Sequence, residues 1–248
     1  MPATTHPPLP LDEFERAAGG YLISPDGPPQ VSATIGQQAM QSPLLPRIYE
    51  RLWRPVLFRA VSGGRLGPAD PERIAAKLGI SGADRVLDVA CGPGNTARPM
   101  LRRLGPGGVI VGLDAAPGML TQAVRETPDE RASFVLGDAA ALPFPDASFD
   151  VVTCLCGLHL MDDPHGIAAG LVRVLAPGGR IALLASVARG PQAVHPVIGR
   201  VSGATGVRLF GRDELTGRLA LLGLDSIEQQ TQGLFQLVTA RKPEQADG

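Results

Sequence analysis

The sequence predicts an α/β protein: a doubly wound, mostly parallel seven-stranded sheet with a terminal antiparallel strand pair and a helical N-terminal cap. Three observations predict it. From about residue 84 to 187, short apolar runs rich in β-branched residues alternate with helical ones, the order that gives parallel strands joined by crossover helices. The first of these strands, "VLDVA" at 86–90, runs directly into the turn Gly92-Pro93-Gly94 and then into a helical stretch. After residue 224, two strand-like runs, "DSIEQQTQG" and "LFQLVTARK", meet at Gln232-Gly233, which suits an antiparallel hairpin.

Taken in order, residues 1–10 are Pro-rich and read as a disordered tail, as does the chain from about Lys242. Residues 11–80 read as a helical N-terminal cap. A short first helix is expected from Asp12 and Glu15 as a capping pair, with Gly19-Gly20 ending it, followed by the turn-rich loop "SPDGPPQ" at 24–30. Leu45, Ile48, Leu52 and Val56 then recur at helical spacing, with Pro46 in a first turn and Pro55 as a break. Strands are expected at 85–90, 108–113, 132–136, 149–155 and 180–187, with helices near 95–104, 116–126 and 164–175 between them. Residues 188–210 form a Gly- and Pro-containing insert, a candidate lid. Leu215, Leu219 and Leu222 mark one side of an amphipathic helix that Gly223 ends.

Composition narrows the function. With 23 basic and 24 acidic residues the formal charge is −1, so no global field recruits nucleic acid or an anionic membrane. No apolar run is long enough to span a bilayer, and the start has neither the basic residues nor the apolar core of a secretory signal. Cys91, Cys154 and Cys156 are too few and too clustered for a disulfide framework, which implies a reducing, cytoplasmic setting. Cys154 and Cys156 lack the spacing of a zinc site, so no metal is expected. Nothing in the sequence specifies an oligomeric state.

Strand, glycine turn and helix together form a cradle for a nucleotide-like ligand, because the helix start offers unpaired N–H groups and glycine lets the backbone approach. Gly92, Gly94 and Ala97 match the dinucleotide pattern, and Asp114 supplies the acidic residue about 20 positions on that such a site needs. An NAD-dependent oxidoreductase is therefore one reading. It leaves unused Asp88, Asp138 and the helix–strand link "VLAPGGRIAL" at 174–183. Carboxylates at three successive strand ends, Asp88, Asp114 and Asp138, are expected to face one crevice.

Four motifs in order, "VLDVACGPGNTA", "VIVGLDAAPGML", "FVLGDAAALPFPDASFDVVTCL" and "RVLAPGGRIAL", resemble the class I, seven-stranded, Rossmann-like S-adenosylmethionine-dependent methyltransferases. The "GDAAALPFPDASFD" form resembles the small-molecule branch that includes quinone-biosynthesis-type enzymes. The resemblance covers about 84–187, extends to about 241, and makes 81–241 the methyltransferase domain. It implies S-adenosylmethionine as donor, S-adenosylhomocysteine as product and a small organic acceptor. Asp88 would orient the glycine loop and meet the donor's amino-acid end, or serve as a structural cap, while Gly92 and Gly94 keep the backbone close. Ala90 stands where the family often has glycine. Asp114, with Ala115 beside it, would accept from the two ribose hydroxyls. Met119 or Leu120 would pack on the adenine, or belong to the helix core. Asp138 would accept from the adenine amino group, with the Ala139 N–H facing a ring nitrogen.

The segment from Cys154 to His159 would line the methyl-transfer region, with His159 the candidate catalytic base. Because the sulfonium donor is already reactive, alignment without a strong base is the other reading. His165 reads as a surface residue and His195 as a weaker candidate in the insert. Tyr49 and Trp53 are candidate acceptor contacts on a lid, or simply helix packing. Nucleic acid is not the expected acceptor: Cys156-Gly157-Leu158 replaces the Asn/Asp-Pro-Pro-aromatic motif of base-methylating enzymes, and neither Cys154 nor Cys156 follows a proline. A non-catalytic S-adenosylmethionine-binding or regulatory protein is the third reading.

Overall fold

The computed structural model describes residues 6–27, 70–188 and 208–244. Strands β1 (Glu15–Arg16) and β2 (Leu22–Ile23) precede helix α1 (Pro71–Lys77). Then follow β3 (Arg85–Val89), α2 (Ala97–Leu101), β4 (Val109–Asp114), α3 (Pro117–Glu126), β5 (Ala132–Leu136) and β6 (Phe149–Leu155). The chain closes with α4 (Pro164–Val174), β7 (Leu175–Ser186), α5 (Glu214–Leu221), β8 (Asp225–Gln232) and β9 (Phe235–Arg241). Among the described residues they build one nine-stranded sheet in the order β1-β2-β5-β4-β3-β6-β7-β9-β8.

Strands β5, β4, β3, β6 and β7 are parallel, and β9 and β8 continue antiparallel. The expected doubly wound core of seven strands is therefore β3 to β9. Because helices cover both faces, neighbouring residues on one strand bury to opposite sides. On β3, Leu87 and Val89 join the cluster that includes Ile167 and Leu171 of α4 and Leu215 and Leu219 of α5. Val86 joins the other, with Ile74 of α1, Met100 of α2 and Leu120 of α3. Helix starts follow local chemistry: the Asp70 and Asp163 carboxylates accept backbone N–H bonds at the first turns of α1 and α4, each with proline early in the helix.

The N-terminal expectation is corrected at two places. Instead of a short helix, residues 10–23 form a 3-10 turn (Pro10–Glu13) and the β1–β2 hairpin, and β2 pairs in parallel with β5, Leu22 opposite Val135. Burial overrides the local capping pattern, since Phe14 and Leu22 are both buried in the core. These two short strands account for the difference between nine and seven. Residues 6–10 are also not a free tail: His6 Nε2 lies 2.9 Å from the Asp150 carboxylate, and the Arg85 guanidinium donates to the Pro7 carbonyl at 2.6 Å. The helix expected over 42–60 and most of the 188–210 insert lie outside the described residues. No described helix is long and apolar enough to cross a membrane.

Candidate active site

Strands β3 to β7 all end on the same edge of the sheet, and most of the candidate residues lie at or just beyond those strand ends. Asp114 is the last residue of β4. Its Oδ2 accepts the Gly92 N–H at 2.8 Å and its Oδ1 the Ala116 N–H at 2.9 Å. One carboxylate thus ties the glycine loop to the start of α3. Burial raises the Asp114 pKa above the ordinary carboxylate value, and the Gly92, Ala116 and Ala115 N–H groups oppose that rise. Backbone bonds stitch the adjoining loops: Cys91 N–H to the Leu113 carbonyl at 3.2 Å, and Gly137 N–H to the Asp114 carbonyl at 3.1 Å. Asp138 follows at once, with its Oδ1 accepting the Ala140 N–H at 2.9 Å. Ala115 is exposed and Ala139 half-buried at the same rim.

Asp88 takes the structural role of its two readings. It is fully buried, and its oxygens accept from the hydroxyls of Thr153 at 2.7 Å and of Thr96. Through these two hydroxyls it ties the start of α2 to β6. Above it, Gly92 (φ +53°) and Gly94 (φ +76°) adopt left-handed backbone. Among the described residues nothing stands within 4 Å of where a Gly92 Cβ would be, whereas a Gly94 Cβ would meet the Thr127 hydroxyl at 3.3 Å. Ala90, at φ +59°, holds a left-handed conformation that costs an alanine about 1 kcal/mol.

Met119 is buried yet belongs to neither core cluster, while Leu120 lies in the core, so Met119 is the better of the two for a ligand face. The Cys154 thiol is fully buried within the core, and burial pushes its pKa up to about 12. His159 lies on the 3-10 turn Leu158–Leu160, is 9% exposed, and its buried Nδ1 has no hydrogen-bond partner among the described residues. Burial lowers its pKa to about 4. The Arg208 N–H donates to the His159 carbonyl at 2.8 Å. His165 lies 3.0 Å from the Glu214 carboxylate near the surface. Tyr49, Trp53 and His195 lie outside the described residues.

Sequence reasoning missed Arg98. From α2 its guanidinium donates to the Pro93 carbonyl at 2.9 Å and to the Asn95 side chain, and pairs with Glu126 at 3.4 Å. It clamps the glycine turn from the helix side. The only signal was a charged residue amid the apolar neighbours Ala97, Pro99, Met100 and Leu101, all buried. Among the described residues no cluster of His, Cys, Asp or Glu could hold a metal.

Comparison with known proteins agrees with this geometry. Residues 87–183 match the family model described as "Methyltransferase domain". A demethylmenaquinone methyltransferase of Thermus thermophilus is 45% identical over 102 residues, 40% of this chain and 46% of the relative. A nocamycin O-methyltransferase of Saccharothrix syringae is 38% identical over 133 residues, 52% of this chain and 44% of the relative. The matches thus span less than half the length of these relatives. The solved structure of a SAM-dependent methyltransferase from Aquifex aeolicus shares the fold, with TM-score 0.56 and 19% identity over 75% of this chain and 97% of that one. Residues 87–183 thus match a methyltransferase domain, and the chain that holds them resembles the class I, Rossmann-like methyltransferases of the quinone-biosynthesis type.

Proposed function

We propose that the protein is an S-adenosylmethionine-dependent methyltransferase acting on a small organic acceptor. The observation that carries this reading is the Asp114 carboxylate, fixed at the strand edge between the Gly92 and Ala116 N–H groups. The Gly92 and Ala116 N–H groups bond one to each oxygen, and the acceptor capacity that remains on the carboxylate suits a ligand hydroxyl. The open backbone at Gly92 fits the close approach of a polar ligand end, and Asp138 retains acceptor capacity for an amino group. The printed names of the relatives, which include demethylmenaquinone and nocamycin methyltransferases, support the reaction class and a small acceptor.

Bound there, the donor supplies an activated methyl on a sulfonium sulfur. The chain's part is to hold and align. Asp88, through Thr96 and Thr153, fixes the loop; Arg98 fixes its turn; Asp114 and Asp138 fix the nucleoside. His159 sits beyond β6 on the acceptor side. A pKa of about 4 makes its imidazole neutral and weakly basic at neutral pH, so it orients the acceptor and does not serve as a strong base. In this reading residues 81–241 are the catalytic domain and 11–80 the cap. The balanced charge supports an acceptor other than nucleic acid, and three free cysteines support a reducing, cytoplasmic setting.

Calorimetric titration with S-adenosylhomocysteine and, separately, with NAD tests the reading. Micromolar binding of the first and none of the second is expected. Binding of NAD alone would replace this function with an oxidoreductase. Homocysteine-product binding without methyl transfer to any member of an acceptor panel of phenols, quinols and amines would favour a non-catalytic binding protein.

A further inference from the structure

Ala90 and Gly157 stand just beyond the carboxyl ends of the neighbouring parallel strands β3 and β6. Their side chains are inverted relative to their backbones. Ala90, at φ +59°, occupies the region where glycine is the easiest residue. Gly157, at φ −98° and ψ −43°, is helical, a conformation any residue adopts. Local preference alone would place the glycine at 90 and the methyl at 157.

Space explains the inversion. A Cβ on Gly157 would lie 2.4 Å from the Ala90 Cβ, with Cys154 Sγ and Met161 Cε each at 3.3 Å. Only one of the two residues can carry a methyl, and the one that does is in the less favourable conformation. Such an arrangement persists where its surroundings over-determine it. Those surroundings are the two halves of the site. Ala90 leads through Cys91 into Gly92, whose N–H is held by Asp114. Gly157 caps the turn that carries His159, whose Nδ1 has no partner among the described residues.

We propose that Ala90 is a positioning residue whose methyl, seated on the bare Cα of Gly157, sets the glycine loop against the acceptor-side turn, so that a displacement of one half is transmitted to the other. Close-packed groups transmit strain of this kind because there is no void to absorb it. The inference rests on the reading of the glycine loop as the donor site. Its consequence is that affinity for the donor product depends on residue 157, which has no side chain with which to touch a ligand, and that the dependence disappears once residue 90 loses its methyl.

A double-mutant cycle tests this with wild type, A90G, G157A and A90G/G157A, each titrated calorimetrically with S-adenosylhomocysteine below its melting temperature. A90G is expected to weaken binding at least about threefold and G157A at least about tenfold, with the double variant within about threefold of A90G. Effects that simply add, or A90G and G157A binding like wild type, overturn the proposal, since a purely structural contact shifts the melting temperatures and leaves the affinity of folded variants unmoved. Should G157A not fold, A90S decides: it keeps the Cβ, so binding within about twofold of wild type beside a weakened A90G supports the contact. A90S as weak as A90G overturns it. Wild-type protein that does not bind S-adenosylhomocysteine sinks the functional reading itself, whereas wild-type binding with an additive cycle sinks this inference alone.

Discussion

Asp114 accepts the Gly92 and Ala116 N–H groups and is the proposed acceptor for the ribose hydroxyls, so its removal tests both loop and ligand. Asp114→Ala is expected to weaken S-adenosylhomocysteine binding by about 1.5–3 kcal/mol, the range for hydrogen bonds to a charged group. Calorimetry reads this directly, and unchanged affinity in a folded variant would remove the ribose assignment. His159 governs a different observable. Its pKa falls from 6.5 to about 4 on folding, so between those values the unfolded chain binds the proton and the native one does not. Its contribution is fully present above about pH 6.5 and is lost as the pH falls toward 4, on the order of 3 kcal/mol in all. Asp114, with a raised pKa, works in the opposite sense in the carboxylate range. The comparison that isolates His159 is therefore wild type against His159→Gln: urea midpoints followed from pH 7 to 4 should fall less steeply in the variant, and parallel curves would refute the buried neutral imidazole.

Between the residue and the sheet, the N-terminal hairpin shows how a short element gains stability from what it covers. Strands of two residues have little pairing of their own, and β1 is exposed at both positions. What holds the segment is Phe14, buried with its ring 6.4 Å from that of Phe144, together with Leu22 and the Ser24 N–H bond to the Leu136 carbonyl at 2.9 Å. Phe14→Ala is expected to lower stability by roughly 3 kcal/mol, near the low end for a buried phenylalanine. Equilibrium urea unfolding measures it, and a loss below about 1 kcal/mol would mean the hairpin is only laid against the sheet. Because β2 runs parallel to β5, its carboxyl end reaches the same edge as Asp138. The capping pair Asp12 and Glu15 gave no hint of this, since local signals compete with a phenylalanine that has a core to enter.

At the scale of the molecule, two apolar layers on one mostly parallel sheet put the exits of the parallel strands on a single edge, and the candidate site is the sum of those exits. Alternating strands and helices, the glycine turn, and acidic residues after β4 and β5 determined the seven core strands and the placement of Gly92, Gly94, Asp114 and Asp138, because such features follow from chain order and local conformation. Chain order could not say which groups from distant segments would share one space. Tertiary structure decided that Asp88 is buried against Thr153 of the neighbouring strand, that Cys154 turns into the core, and that the Ala90 methyl fills the space Gly157 leaves. The physical reason is the same in each case: burial and close packing depend on neighbours 60 or more positions away for Asp88 and Gly157, and no periodicity along the chain encodes a partner across the sheet.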